Sequence, residues 1–436
     1  MSEQKIKNVG HLISALAAVN YYCWPIRGMT VVGVTGTDGK TTTSHLIYEI
    51  LKAAGKSVGL ISTIGAFWDN QQIDVGLHTT TPDPWLLQKL ISQMRASRVK
   101  YLVLETTSHG LDQHRVWGIP FAIGVLTNIT HEHLDYHRSF ENYRRTKAKL
   151  FQRAKVSILN RGDPSFGFLK RLLINQSRSK KIVSYGLENR ADFRAKQIRL
   201  LSSGMSFKLE TGDQQLILQT PLIGDYNVAN ILAAVATARE LAIDWSIIKQ
   251  ALRRFAGVTG RMQLIDLGQP FSVIIDFAHT PNALKQVLTT LKQLKKSPGR
   301  LIVVFGCAGE RDYLKRPIMG KIAAQLAEVS IFTAEDPRHE RIEDIIDQIV
   351  AGASSLAKEV RSDATFIKGG DHVFLRQPDR KKAIGLAINL AQKGDIVVIC
   401  GKGHERSMCY GSQEIPWSDF EVAKKALKSY LKRMKG

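Results

Sequence analysis

The chain has 436 residues, 44% of them hydrophobic and 23% charged, which is ordinary for a globular protein with two or three cores. Lys and Arg number 61 against 39 Asp and Glu, a formal charge of +22 that suits anionic partners: nucleotides, sugar nucleotides, an anionic membrane face or nucleic acid. No apolar run is long enough to span a bilayer and no signal peptide is evident, so a cytoplasmic protein is expected. In chain order, residues 11–24 come first. Leu12, Leu16, Val19 and Cys23 fall on one helical face, followed by Trp24, Pro25 and Arg27. Two readings stand: a helix packed on its own domain, or a weak peripheral membrane contact.

A short apolar strand at residues 30–34 then runs into VTGTDGKTTT and a helix at 44–54. Gly36 and Gly39 let backbone N–H groups approach phosphate oxygens. Lys40 supplies a positive charge and Thr41 a hydroxyl for Mg2+, so Gly36 to Thr42, with Thr37 and Asp38 between, read as a nucleotide-binding loop. Strand-like runs follow at 58–63, 101–106, 123–128 and 156–160, with helices at 85–96, 140–153 and 227–241. Residues 193–219 read as antiparallel hairpins turning near Gly204 and Gly212. A second α/β unit starts near Arg261, with strands at 272–277, 301–306, 329–333 and 395–400 and helices at 282–294 and 317–326. The last helix, 420–434, carries Lys424, Lys425, Lys428, Lys432 and Arg433, a solvated face. The fold class expected is α/β: a P-loop-type central parallel-sheet ATPase domain at 29–260 and a C-terminal doubly wound, Rossmann-like domain at 261–436, after a short helical segment at 1–28. The four cysteines have no zinc spacing and read as reduced thiols.

Chemistry concentrates at strand ends. Glu105, at the end of 101–106, is placed as a Mg2+ ligand beside the phosphate loop. Arg115 is placed to clamp a carboxylate or phosphate. His131, His133 and His137 crowd one stretch without the spacing of a zinc motif.

Taken together, T-G-T-D-G-K-T-T, H-T-T-T-P-D-P, E-T-T-S-H-G-L-D-Q-H-R-V, E-H-L-D-Y-H, G-D-Y-N-V-A-N, D-F-A-H-T-P-N-A-L, F-G-C-A-G-E-R-D-Y-L-K-R-P and G-K-G-H-E run in order from about residue 29. As a set they resemble the Mur ligase family, MurE type. The resemblance implies an ATP- and Mg2+-dependent ligase of peptidoglycan precursor synthesis. It would add a third amino acid to a UDP-MurNAc-L-Ala-D-Glu-type acceptor through an acyl phosphate. Lys40, Thr41 and Glu105 would hold ATP phosphates and Mg2+. His133 and a carbamylated Lys147 would join a second metal site. Asn227, Asn230, Arg261, Asp276 and His279 match nucleotide positions, and Thr80, Thr81, Thr107, Gln113 and Arg115 match acceptor positions. Domain closure would complete the site.

For the amino acid, the family motif D-N-P-R reads here Glu335-Asp336-Pro337-Arg338. With Arg311, Gly401 and Glu405, these match positions that contact the incoming amino acid. An arginine suited to a distal carboxylate favours meso-diaminopimelate over lysine. Only 28 residues precede Met29, too few for the family's N-terminal UDP-binding domain, which the chain is expected to lack. Rivals are a Mur-like ligase with a lipid-linked or non-muramoyl acceptor, a Mur-like subunit of an amidotransferase, a folylpolyglutamate or cyanophycin-type synthetase, and a nucleic-acid-stimulated ATPase. The scattered cysteines argue against the amidotransferase subunit, H-T-T-T-P-D-P and G-K-G-H-E against the other synthetases, and the lack of a helicase motif or nucleic-acid recognition module against the ATPase. Small-molecule substrates, no nucleic acid and a monomer are expected.

Overall fold

A computed structural model describes residues 3–76, 80–177, 179–187, 190–201, 203–212, 214–361 and 372–435. His78 and Thr79 of the H-T-T-T-P-D-P motif, and Ser202 and Asp213 at the hairpin turns, lie outside them. The chain divides into two units, Met1–Ala256 and Gly257–Gly436.

The first unit opens with α1 (Glu3–Tyr21). Ala15, Ala18 and Val19 bury one of its faces. The helix stops at Tyr21 because Cys23 and Trp24 both take left-handed backbone (φ 53°). The expectation that Cys23 shares a helical face with Leu12 therefore fails: Cys23 is exposed in the turn. Next come β1 (Thr30–Thr35), α2 (Lys40–Ala53), β2 (Val58–Ser62), β3 (Gly65–Trp68), β4 (Gln71–Ile73), α3 (Pro84–Ala96), β5 (Tyr101–Glu105), α4 (Ser108–Asp112) and β6 (Phe121–Leu126). α2 begins four residues before the expected helix, so Lys40 and Thr41 stand in its first turn. α5 (Leu134–His137), α6 (Phe140–Arg153), β7 (Val156–Asn160), α7 (Phe166–Gln176) and β8 (Lys181–Gly186) follow. An antiparallel meander, β9 (Phe193–Leu201), β10 (Gly204–Thr211) and β11 (Gln214–Thr220), precedes α8 (Asp225–Glu240) and α9 (Trp245–Arg254).

All eleven strands form one sheet, in the order β11-β10-β9-β8-β7-β6-β1-β5-β2-β3-β4. The antiparallel meander extends this sheet, because β9 pairs parallel to β8. β1 pairs parallel with β5 on one side and β6 on the other. The loop after β1 thus opens at a crevice where strand order reverses, where α/β sheets bind ligands.

α6 shows how local sequence sets a site residue. Ser139 caps it by accepting from Asn142 N–H, and Glu141 lies in its first turn. Tyr143, Thr146, Lys147, Leu150 and Phe151 are buried, a spacing that marks one helical face. Burying Leu150 and Phe151 stabilises the unit by about 1.5–3 kcal/mol each. Lys147 is carried into the interior on the same face.

The second unit contains β12 (Gln263–Ile265), β13 (Ser272–Asp276), α10 (Pro281–Leu294), β14 (Leu301–Phe305), α11 (Lys315–Leu326), β15 (Val329–Phe332), α12 (Ile342–Ala353), β16 (Lys358–Glu359), β17 (Val373–Arg376), α13 (Arg380–Leu390) and β18 (Ile396–Cys400). A hairpin, β19 (Ser407–Tyr410) and β20 (Gln413–Pro416), leads to α14 (Asp419–Lys435). The sheet runs β12-β13-β18-β14-β15-β17-β16, and only β12 is antiparallel. Along β14, Leu301, Val303 and Phe305 pack into one core and Ile302 and Val304 into the other. Both faces are therefore covered, as a doubly wound parallel sheet requires. α14 is solvated on its lysine side but buries Ala423 and Leu427.

Candidate active site

The candidate residues fall into two groups, one in each unit. In the first, the loop 36–39 has no room for side chains. A Cβ on Gly36 (φ 156°) would lie 1.7 Å from Thr127 Oγ1, and one on Gly39 (φ 80°) 2.4 Å from Asn230 Oδ1. Asn128 holds the loop from below: Asp38 N–H donates to its Oδ1 at 2.9 Å, and its Nδ2 donates to Asp38 O at 3.0 Å. Thr127 Oγ1 donates to the same oxygen at 2.6 Å. Asn230 accepts from the Thr43 hydroxyl at 3.3 Å and donates to Asn227 Oδ1 at 3.1 Å. Asn227 and Asn230 thus brace the loop. Lys40 Nζ donates to Thr37 O at 2.7 Å, and Thr42 is buried in the first turn of α2. First-turn N–H groups have no acceptor within the helix, and with a lysine beside them they suit an anion.

At the adjacent strand end, Glu105 is buried and well supported. Its Oε1 accepts from Thr41 Oγ1 and Thr63 Oγ1, both at 3.1 Å, and its Oε2 from Thr63 N–H at 3.1 Å. Neighbouring ligands on one Mg2+, with bonds of about 2.0–2.1 Å, stand about 3 Å apart. The Thr41–Glu105 pair fits that spacing. Lys147 Nζ donates to Gly36 O at 2.7 Å and lies 4.6 Å from the centre of the Tyr143 ring. The Tyr143 hydroxyl meets Thr37 Oγ1 at 3.0 Å. His133 stands 6.3 Å from the same ring and 4.8 Å from His109, centroid to centroid. Burial, then the Lys40 charge, pushes the Lys147 ammonium well below its ordinary value. Among the described residues, no three His, Cys, Asp or Glu side chains are grouped to hold a metal ion. Thr41 and a lysine converted to a carbamate are donors outside that set.

Behind Glu105 lies a run of hydroxyls. Thr80 Oγ1 accepts from Thr63 Oγ1 at 3.0 Å, Thr81 Oγ1 donates to Glu105 O at 3.1 Å, and Thr107 N–H donates to Thr81 Oγ1 at 2.9 Å. Arg115 donates to Thr81 O at 2.7 Å and grips Gln113 Oε1 through Nε and Nη2, at 2.9 and 2.6 Å. Every expected acceptor residue is therefore in one connected network.

In the second unit, the site residues gather at strand C-termini. Asp276 ends β13 and accepts from Met262 and Ala278 N–H, at 2.7 and 2.8 Å. Arg261 stacks over Phe277 at 4.4 Å, and Phe277 also contacts the rings of His279 and His404, at 4.4 and 4.8 Å. After β15, Asp336 and Arg338 both take left-handed backbone (φ 41° and 53°). Lys402 Nζ donates to both Asp336 oxygens, at 2.8 and 2.9 Å, and reaches Glu405 Oε2 at 2.5 Å. Glu335 and Pro337 are buried, and burial raises the Glu335 carboxyl. A Cβ on Gly401 (φ 111°) would lie 2.7 Å from Glu335 Oε2. Glu335 Oε2 and Arg338 Nε are buried with no hydrogen-bond partner among the described residues. Arg311 is exposed on the loop before α11.

Sequence reasoning did not assign Thr63, Asn128, Tyr143 or Lys402 to the site. Lys402 sat in view within G-K-G-H-E. The others become visible only when strand ends meet.

Burial, then the Arg261 charge, pushes His404 down to about 3 from an ordinary 6.5. The unfolded chain therefore binds the extra proton between those values, and stability falls as pH drops from 6.5 toward 3. Urea unfolding of wild type against His404→Gln checks this. The wild type is expected to lose up to about 1.4 kcal/mol more per pH unit in that window. Parallel curves would refute it.

Comparison with known proteins matches residues 34–238 to the Mur ligase middle domain and residues 260–403 to the Mur ligase glutamate ligase domain. The chain is 37% identical to the UDP-N-acetylmuramoyl-L-alanyl-D-glutamate–2,6-diaminopimelate ligase of Geobacillus thermodenitrificans, over 95% of this chain and 82% of the relative. It is 38% identical to the ligase of that name from Syntrophomonas wolfei, over 96% and 82%. A solved structure of a ligase with that name superposes with a TM-score of 0.65 at 30% identity, covering 98% of this chain and 83% of the other. Folylpolyglutamate synthase of Mycobacterium tuberculosis, at 16% identity and a TM-score of 0.71 over 89% of this chain and 91% of the other, shares the fold.

Proposed function

The chain belongs to the Mur ligase family of ATP-dependent ligases, and from that premise we propose that it joins 2,6-diaminopimelate to UDP-MurNAc-L-Ala-D-Glu. The observation that carries this reading is the presence, in one chain, of the Thr41–Glu105 strand end beside a phosphate loop and of the Glu335–Arg338 loop, which offers a carboxylate oxygen and a guanidinium nitrogen, both buried and without a hydrogen-bond partner among the described residues.

ATP would lie with its phosphates on the N–H groups of residues 36–42 and on Lys40. Thr41 and Glu105 would hold Mg2+, and His133 with carbamylated Lys147 a second ion. Bound metal would spread the charge of the transferring phosphoryl group. Thr80, Thr81, Thr107, Gln113 and Arg115 would hold the muramoyl dipeptide. The D-Glu side-chain carboxylate attacks the terminal phosphorus, giving an acyl phosphate and ADP. The amine then attacks the acyl carbon and phosphate leaves. The protein's part is to align anionic groups and hold charge, with no covalent nucleophile. Arg338 would pair with the distal carboxylate of the amino acid, and Glu335 with its ammonium. Arg261, Asp276 and His279 would contact the nucleotide. The substrates are small molecules of the cytoplasm, and the enzyme would act as a monomer.

Phosphate release from ATP, with UDP-MurNAc-L-Ala-D-Glu and either meso-diaminopimelate, L-lysine, L-ornithine or no amine, tests the reading alongside product mass. Turnover with diaminopimelate and the matching tripeptide mass is expected. Silence with every amine, in protein that binds ATP, would overturn the acceptor assignment.

A further inference from the structure

α1 packs one side onto α3 and turns the other outward, and between Val9 and Tyr21 that outward side carries no charged side chain. Val9 and Ile13 are 51% and 62% exposed, and Gly10, Ala17 and Asn20 complete the stripe. Tyr21, 72% exposed, meets Trp85 of α3 edge to face at 5.6 Å. Trp85 is itself 43% exposed, and its indole N–H donates to Ser14 Oγ at 3.2 Å. Surface helices in a chain with 23% charged residues ordinarily place those charges outward.

The described charges that flank this stripe are mainly positive, with Asp83 the one exposed acid beside Trp85. Lys7, Arg27, Lys89 and Arg95 are exposed on the two helices and the turn after α1. Arg27 lies over the Trp24 ring at 5.5 Å, and Arg95 donates to Trp24 O at 3.3 Å. α3 contains no acid, and the neighbouring Asp83 is turned onto the N–H groups of Trp85 and Leu86 as a helix cap. Apolar and aromatic side chains rimmed by cations, on a chain of formal charge +22, match the interfacial region of an anionic bilayer. Tyrosine and tryptophan suit that depth because each has an apolar body and a polar tip. No helix among the described residues is long and apolar enough to cross a membrane, so contact would be at the surface.

We propose that the α1–α3 face docks on anionic lipid, holding the enzyme at a membrane surface by shallow burial of Val9, Ile13, Tyr21 and Trp85. The test is co-sedimentation of the full chain with phosphatidylglycerol or phosphatidylcholine vesicles, at low and high salt. Wild type is compared with Val9→Glu/Ile13→Glu and with Lys89→Glu, and circular dichroism and thermal midpoint control for folding. Wild type is expected to pellet with phosphatidylglycerol only, less at high salt. Burial of two aliphatic side chains is lost in the double variant, so its partition coefficient should fall on the order of tenfold or more. Lys89→Glu should fall severalfold. Absence of pelleting, or equal pelleting of the double variant, would overturn the proposal. Self-association in sedimentation velocity without vesicles, abolished by the double variant, would overturn it in favour of a copy-to-copy interface.

Discussion

Lys147→Ala is expected to lower ligation turnover by on the order of 100- to 1,000-fold, the usual cost of removing one preorganised electrostatic group. The unmodified lysine has the geometry to become something else. Its Nζ is buried, donates to Gly36 O, and is pushed toward the neutral form by burial and then by the Lys40 charge. A neutral amine attacks CO2 and an ammonium does not. The environment that would make Lys147 a poor cation therefore makes it a good carbamate precursor. Carbamylation would place a negative charge beside a phosphate loop, which is tolerable only where a divalent cation joins it. Lys147→Glu supplies a carboxylate without CO2, and is expected to retain more activity than alanine and to be indifferent to bicarbonate. Wild type stripped of CO2 should regain activity when bicarbonate is added. Normal turnover by Lys147→Ala would remove this residue from the site altogether.

The second large effect is expected at Arg338. Its backbone is pinned from both sides: its N–H donates to Cys409 O at 3.1 Å, and its carbonyl accepts from Gly411 N–H at 2.8 Å. The guanidinium is thus fixed at its root. Asp336, two residues away, is bound at both oxygens by Lys402. Arg338→Ala is expected to raise the KM for diaminopimelate on the order of 100-fold, as loss of a partly buried charge-assisted pair does. The kcat should change much less, because the distal carboxylate is remote from the reacting carbon. Arg338→Lys should recover only part, since a lysine cannot form the planar fork. An equal effect on kcat with an unchanged KM would show that Arg338 does not bind the amino acid.

The alternation of strands and helices was readable because period and turn chemistry are local. The start of α2 was hidden by Thr41, Thr42 and Thr43, poor helix formers that the left-handed Gly39 nevertheless launches into a helix. The stop after Tyr21 was hidden because neither Cys23 nor Trp24 is a residue type that favours positive φ. Lys147 reads in isolation as one more surface lysine. Its spacing from Tyr143, Leu150 and Phe151 was the available sign that it faces inward. The Lys402–Asp336 pair joins residues 66 apart, and no local pattern reports such a contact.

The phosphate loop is synthesised early, but its supports are not. Gly36 rests on Thr127, Asp38 on Asn128, and Gly39 on Asn230. At about 5–20 residues per second, the ribosome takes roughly 10–40 s to travel from the loop to Asn230. During that interval the loop has its glycines and lysine but not yet the full set of groups that fix its curvature. Nucleotide affinity is thus acquired late in the growing chain. A fragment ending before α8 carries the complete T-G-T-D-G-K-T-T motif with Thr127 and Asn128, and still lacks Asn230 beside Gly39.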